Sequence, residues 1–153
     1  MKAEKLMIAE LKESFNSLNR TVEIMKYSLR KCSETGIKAA YSLEELDIFE
    51  NLTSRFARAS DIYTQKIMKG ITLILREDAK TFLDRANLFE KLNIADADDL
   101  KLIRDLRNEI SHEYKMNDIS EIFQAVLEYS DNLLEIIERT KTFVEERNWF
   151  EEN

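Results

Sequence analysis

Residues 7–32 have the sequence MIAELKESFNSLNRTVEIMKYSLRKC, in which apolar side chains recur every three or four positions. The recurring residues are Met7, Leu11, Phe15, Leu18, Val22, Met25, Leu29 and Cys32. Because an α-helix has about 3.6 residues per turn, this spacing aligns them in one stripe. The stripe predicts an amphipathic helix from about Lys2 to Cys32. A loop is expected to follow over residues 33–40, since Gly36 stands where a helix would stop.

The same period continues through the rest of the chain and predicts four further helices. Their expected bounds are about Ser42–Arg76, Asp78–Leu92, Asp99–Glu113 and Ile119–Arg147. Ser42, followed three positions later by Glu45, has the pattern of a capping box. Gly70 weakens its helix by about 1 kcal/mol relative to alanine, so it predicts either a kink or a close helix crossing. A cap for the fourth helix of the chain is expected at Asp96 or Asp98.

The content of turn-forming residues indicates the fold class. The 153 residues include two glycines and no proline, too few for the frequent turns of an all-β fold. Hydrophobic residues make up 44% of the chain and charged residues 35%, a mixture typical of helical globular proteins. Short connections between about five helices favour an all-α, up-down helical bundle, and the length fits a single domain over residues 1–153.

The charge of the chain limits the classes of partner. A formal net charge of -7 disfavours a general nucleic-acid coat, and we expect no DNA partner. The acidity is concentrated near the C-terminal end. Residues 118–153 contain ten acidic and three basic residues, whereas residues 1–95 contain fourteen acidic and sixteen basic ones. A local site for an anion therefore remains compatible with the overall charge.

The sequence has no signal for several kinds of ligand site or for a membrane or secreted location. No region has two nearby glycines for a phosphate loop, and one cysteine with one histidine cannot form a structural zinc site. We therefore expect neither a metal nor a cofactor. Charges interrupt every apolar stretch and are scattered through residues 1–10, so we expect neither a transmembrane helix nor a secretory signal. With Cys32 as the single cysteine, this predicts a cytoplasmic protein without a membrane partner.

The residues that could carry chemistry are concentrated in residues 104–114, RDLRNEISHEY, which include the only histidine, His112. At about 100° per residue on an ideal helix, Arg107 and Tyr114 lie on one shoulder of the apolar side. His112 lies about 140° from Arg107 on the same helix. A straight helix would therefore not direct Arg107 and His112 to one point. Either the helix ends before His112, or a second copy of the protein completes the site.

This segment also has an interpretation that involves no function. It would then be a polar helix face with a histidine in solvent and with Tyr114 as an amphipathic rim residue. In this interpretation, Arg104 and Arg107 form ion pairs with neighbouring acidic residues. Asp105, Glu109 or a residue of another helix would supply the carboxylates.

Residues 104–114 resemble the Arg-x4-His-x-Tyr motif of HEPN-domain proteins, in particular the HepT-like toxins. The match comprises Arg107, His112 and Tyr114 at the motif spacing, with the polar Asn108 directly after the arginine. The motif stands late in a chain of the expected size, and one further long helix follows it. Residues 55–61, RFARASD, also resemble a HEPN branch commonly paired with small nucleotidyltransferases.

The resemblance implies a homodimer in which the two motifs face each other across the interface. Many members of the family are metal-independent endoribonucleases, so the resemblance also implies this activity. HepT-like members are toxins that a cognate minimal nucleotidyltransferase neutralises. This antitoxin adds AMP to the motif tyrosine, which here is Tyr114. The expected partners are therefore a second copy of the chain, this antitoxin and the RNA substrate.

Each motif residue then has an expected role in cutting RNA, whose 2′-hydroxyl is the nucleophile. Arg107 would bind the phosphate and its transition-state charge, and His112 would transfer protons near neutral pH. Asn108 would orient the reacting groups, while Arg104 and Ser111 would contact RNA phosphate. Because each chain has one histidine, catalysis by two histidines requires a dimer.

Two other hypotheses stay open at this point. A HEPN subunit without catalytic activity would bind a nucleotidyltransferase partner or a nucleotide. The acidic last helix favours this alternative, because a surface that cuts RNA gains from positive charge. In the other hypothesis, the chain is a helical scaffold and its match to the motif is accidental.

Overall fold

The computed structural model describes residues 2–112 and 119–151, and all regular secondary structure in these ranges is helical. The elements are α1 (Lys2–Thr35), α2 (Leu43–Ile62), a π-helical turn (Tyr63–Ile67), α3 (Met68–Ile74), α4 (Phe82–Lys91), α5 (Ala97–Ile110) and α6 (Ile119–Glu146). The backbone stays helical from α2 through the π turn into α3, so these three elements form one long helix. The described residues therefore hold five continuous helices, which confirms the prediction of an all-α fold.

The ends of the first two helices follow from local sequence signals. Gly36 has a φ of 74° directly after α1, the left-handed conformation that ends a helix. At the start of α2, the Glu45 carboxylate accepts a hydrogen bond from the Ser42 amide at 2.9 Å. The Glu45 amide in turn donates to the Ser42 hydroxyl at 3.1 Å. The predicted capping box is therefore confirmed.

The predicted start of the third helix is wrong. α4 begins at Phe82 and not at Asp78, because Thr81 caps it. The Thr81 hydroxyl accepts a hydrogen bond from the Asp84 amide at 3.1 Å, which satisfies one of the free amides of the first turn. Asp96, one of the two predicted caps of the fourth helix, lies at the N-cap position of α5. Its side chain forms no capping hydrogen bond.

The apolar stripe of α1 forms one side of the core. Its buried members are Leu11, Phe15, Leu18, Val22, Met25 and Cys32, while Met7 and Leu29 are partly buried. α1 packs against α2 and α3, and Gly70 lies where α1 crosses α3. A Cβ atom added at Gly70 would lie 3.1 Å from the Leu11 Cδ1 atom. The close crossing predicted as one alternative for Gly70 is therefore confirmed.

Two contacts in the core join α6 to α2 and to the π turn. The Phe49 and Phe123 rings stack with their centroids 4.5 Å apart. Further along, the Tyr63 hydroxyl and the Thr140 Oγ1 atom lie 2.8 Å apart in the core. Thr140 itself donates to the Ile136 carbonyl at 2.6 Å, so Tyr63 is the donor to Thr140. Complete burial raises the pKa of Tyr63, which keeps this hydroxyl protonated.

Candidate functional site

The end of α5 confirms the first of the two alternatives for Arg107 and His112 and leaves the second, a site completed by another copy, untested. α5 ends at Ile110 and not at the predicted Glu113. The Ser111 amide donates to the Asn108 carbonyl at 3.2 Å, and the His112 amide donates to the Glu109 carbonyl at 3.1 Å. These bonds to the third residue back tighten the last turn and close the helix. The helix therefore ends before His112, which lies exposed beyond it.

The other motif residues near the end of α5 occupy different surroundings. Asn108 and Ser111 are exposed, and the Ser111 hydroxyl donates to the Asn108 carbonyl at 2.7 Å. This bond satisfies one of the carbonyls that a helix end leaves free. Tyr114, the predicted modification site, lies outside the described residues, as does the predicted break at residues 117 and 118.

Arg107 forms a forked ion pair with Asp61, the next-to-last residue of α2. The Arg107 Nε atom lies 2.7 Å from Asp61 Oδ1, and the Arg107 Nη2 atom lies 2.9 Å from Asp61 Oδ2. The two hydrogen bonds to this carboxylate raise the pKa of Arg107 above its usual value. Among the described residues the partner of Arg107 is thus on another helix, whereas Asp105 and Glu109 of its own helix do not pair with it.

A cavity of about 350 Å³ opens beside this ion pair, between the π turn, α4 and α5. It brings together four of the predicted site residues, Arg104, Arg107, Asn108 and Ser111. Its remaining lining residues are Ser60, Asp61, Thr64, Gln65, Lys69, Phe82 and Arg85. The lining therefore contains four cationic residues and one acidic residue, and we call it the arginine cavity. His112 is not part of this lining.

Two arginines of this cavity have no carboxylate partner among the described residues. Arg85 is only 8% exposed, and its Nη1 atom donates to the carbonyls of Lys80 at 2.9 Å and Ala79 at 3.4 Å. The Arg104 guanidinium carbon lies 4.4 Å from the centroid of the Phe82 ring. The Nε atoms of Arg85 and Arg104 are both buried without a hydrogen-bond partner in the described structure.

The ion pair of Asp61 and Arg107 also borders a second cavity of about 600 Å³. Arg58, Lys66 and Glu50 also line this second cavity. A third cavity, about 650 Å³, lies between α1, the π turn and α3 and has mixed charges from Glu10, Glu13, Arg20, Lys66 and Lys69. This last cavity is larger than the arginine cavity, but the arginine cavity has the larger excess of positive over negative side chains and is lined by Arg107 and Asn108 of the motif.

Three residues of the site are missing from the sequence prediction. Asp61 was part of a matching stretch without a role of its own, and Lys69 and Arg85 were not singled out. Asp61 is 46 positions from Arg107, so their contact depends on the packing of α2 against α5. The two unpredicted cations come from α3 and α4. No local pattern in the sequence marks such a long-range arrangement.

Within residues 2–112 and 119–151, no group of three or more histidine, cysteine, aspartate or glutamate side chains is placed to hold a metal ion. In the same ranges, every helix is too short or too polar to cross a membrane.

Comparison with models of protein families, with curated proteins and with solved structures finds no match for this chain. Its function is therefore inferred from its own residues and their geometry.

Proposed function

We propose that this chain is an endoribonuclease of the HEPN class and, within that class, a HepT-like toxin that acts as a cytoplasmic homodimer. The observation that carries the proposal is the arginine cavity at the end of α5, directly before the single histidine. RNA supplies its own nucleophile, the 2′-hydroxyl, so cleavage needs cations for the phosphate and groups that move protons. Both kinds of group are present at this end of the helix.

In this proposal, Arg107 binds the phosphate at the cleaved bond. Asp61 holds its guanidinium by two of the five N–H donors, so the side chain is oriented before substrate arrives. Within the described residues, the Arg107 Nη1 atom makes no hydrogen bond and is available for a phosphate oxygen. Asn108 and Ser111 are the neighbouring polar groups that orient the strand, and Arg104 contacts an adjacent phosphate.

His112 transfers the protons, and the proposal requires two copies of it. One imidazole removes the proton of the 2′-hydroxyl while the other protonates the leaving 5′-oxygen. Each chain has one histidine, so a symmetric dimer is the simplest way to supply both. Exposure of His112 beyond the end of α5 favours this, because the side chain is accessible to a partner copy.

A cognate minimal nucleotidyltransferase would act as the antitoxin by adding AMP to Tyr114. The added group would bring bulk and a negative phosphodiester next to the anion site and would exclude RNA. Co-expression with such a partner should add AMP-sized increments to the intact mass of the protein. These increments should be missing from Tyr114→Phe, and their persistence in that variant would contradict the role of Tyr114.

A second candidate function is a HEPN subunit that binds a nucleotidyltransferase partner or a nucleotide without cutting RNA. The ion pair favours it, because Asp61 already neutralises the charge of Arg107. The composition of α6 favours it too, since this helix has seven acidic and two basic residues. A negative surface repels RNA but suits a basic protein partner.

Expression without any partner separates these two functions. The wild-type protein should inhibit growth and degrade cellular RNA, and Arg107→Ala or His112→Ala should relieve both effects. Arg139→Ala is the matched control, because this exposed arginine of α6 also pairs with a carboxylate, that of Glu135, at 2.8 Å. Harmless behaviour of the wild type and of all three variants would favour the binding subunit.

A further inference from the structure

The arginine cavity has more positive charge than the described protein around it neutralises. Its lining has four cationic side chains, and Asp61 is the single acidic one. Asp61 is engaged by Arg107, so Lys69, Arg85 and Arg104 are left without a carboxylate in the described structure. Arg85 is the buried one, and burying a cation is unfavourable unless a counter-charge compensates it. An anion from outside the chain would supply that charge.

We propose that Lys69, Arg85 and Arg104 form a phosphate-binding site of their own, beside the position of Arg107. The proposal deepens the proposed function and rests on it for the kind of ligand, which is the phosphate group of a nucleotide. In the RNA-cutting dimer, this site holds a phosphate that flanks the cleaved bond. It thereby fixes the register of the strand while Arg107 engages the cleaved phosphate.

The two arginines are held in place before any ligand arrives. Arg85 is anchored by the hydrogen bonds of its Nη1 atom to the carbonyls of Ala79 and Lys80. Arg104 is fixed by its contact with the Phe82 ring. A guanidinium whose orientation is set loses little conformational entropy on binding, and its planar N–H groups match pairs of phosphate oxygens.

The size and the composition of the cavity favour a phosphate over other anions. Lys69 is exposed at the rim, where an ammonium group attracts a phosphate as a point charge. Exposed Asn108 and Ser111 add neutral polar groups to the wall. A volume of about 350 Å³ is at the small end of ligand pockets and suits one phosphate with part of its nucleotide.

Calorimetric titration of the protein with three probes tests the site and identifies the source of the phosphate. The probes are inorganic phosphate, 5′-AMP and a short RNA with 2′-O-methyl groups, which cannot be cut by its own 2′-hydroxyl. Binding of the two small probes would identify a free nucleotide as the ligand, whereas binding of the oligonucleotide alone would identify an RNA strand. A wild-type protein that binds none of the three would overturn the proposal.

The variants Lys69→Gln and Arg104→Gln should each weaken the binding about 10-fold, because each loses a charge-assisted hydrogen bond. Lys101→Gln is the matched control on α5, since Lys101 pairs with Asp98 and does not line the cavity, and it should bind within about 2-fold of wild type. Equal binding by all three variants would overturn the proposal.

Arg85→Gln should weaken binding at least as much, because the Arg85 side chain is the most buried of the three cations. If this variant does not fold, Lys69→Gln still tests the site, since Lys69 is exposed and its replacement leaves the core intact.

The failure of the phosphate site can be distinguished from the failure of the proposed nuclease. Loss of the growth effect in Arg107→Ala with unchanged phosphate binding in Lys69→Gln would refute the site alone. An unchanged growth effect in Arg107→Ala, together with weakened phosphate binding in Lys69→Gln, would refute the nuclease alone.

Discussion

Two groups of polar side chains flank the π turn, and they differ in whether the protein satisfies them. On the inner side, the Tyr63 hydroxyl donates to Thr140, which donates to the Ile136 carbonyl. On the side of the arginine cavity, Thr64 donates to the Ser60 carbonyl at 2.9 Å, but Arg85 and Arg104 have buried Nε atoms without partners in the described structure. The inner pair is complete without a ligand, whereas the group at the cavity is not.

In our proposal, this difference separates residues that stabilise the fold from residues that bind a ligand. A buried polar group that is left unpaired lowers stability by about 1–3 kcal/mol, so such groups are rare unless they serve a function. The π turn connects the two groups, because it starts at Tyr63 in the core and presents its next residues to the cavity. Short π-helical segments are frequent at functional sites.

The largest expected effect is the loss of stability in Tyr63→Ala. Removing this buried ring should lower the free energy of unfolding by about 3–5 kcal/mol, because it leaves a cavity in the core. Urea denaturation followed by circular dichroism measures the change. Tyr63→Phe is the control and should lower it by only about 1 kcal/mol, the value of one hydrogen bond. Equal losses in the two variants would show that the ring packs loosely.

A smaller loss is expected when the ion pair of Asp61 and Arg107 is broken. Their side chains are 34% and 28% exposed, so solvent screens the attraction. Asp61→Asn should lower the free energy of unfolding by about 1 kcal/mol or less. A double-mutant cycle with Arg107→Gln should give a coupling energy of about 0.5–1 kcal/mol. Zero coupling would contradict the forked geometry that orients Arg107.

Arg104→Met should change the free energy of unfolding by no more than about 0.5 kcal/mol. Methionine keeps the contact with Phe82 through its apolar chain, and it removes a buried Nε atom that has no partner in the described structure. The same denaturation experiment gives the value. A loss as large as that of Tyr63→Ala would mean that Arg104 serves the fold, and the contrast between the two sides of the π turn would disappear.

The last prediction concerns Cys32, which is buried in the stripe of α1 and expected to have no redox role. Burial raises the pKa of the Cys32 thiol to about 11 from an ordinary value of 9.0. A thiol reagent at pH 8 should therefore label the native protein about 100-fold more slowly than the unfolded chain. Fast labelling of the native protein would contradict the burial of this side chain.

The same shift gives a pH dependence of stability with a definite sign. The neutral thiol is favoured in the folded state, so its contribution is complete below pH 9.0 and is lost as the pH rises toward about 11. The free energy of unfolding should decline over this window. The Cys32→Ala variant should lack this part of the decline, and an identical pH profile for both proteins would contradict the assigned shift.

The helices could be predicted because their signals are local. The stripe from Met7 to Cys32 and the capping box of Ser42 with Glu45 each need only neighbouring residues, and both are confirmed. The start of α4 was misplaced although Thr81 and Asp84 have the capping-box spacing. Asp78 lies only three residues before the true cap, in which aspartate takes the place of the usual glutamate or glutamine.

The site could be predicted only in part, for the opposite reason. Arg104, Arg107, Asn108 and Ser111 belong to one helix end, so one motif indicated all of them together. The partner of Arg107 and the other cations of the cavity come from distant parts of the chain, and only packing brings them to α5. The π turn likewise has no recognisable pattern in residues 63–67.

Cleavage of a labelled RNA by the purified protein in EDTA tests the central claim most directly. The wild-type protein should cut the strand and leave a 2′,3′-cyclic phosphate, and a strand with 2′-deoxy sugars should stay intact. His112→Ala should cut at least about 100-fold more slowly, because it lacks the group that transfers protons. An RNA left intact by the wild type, or cut equally fast by His112→Ala, would contradict the account.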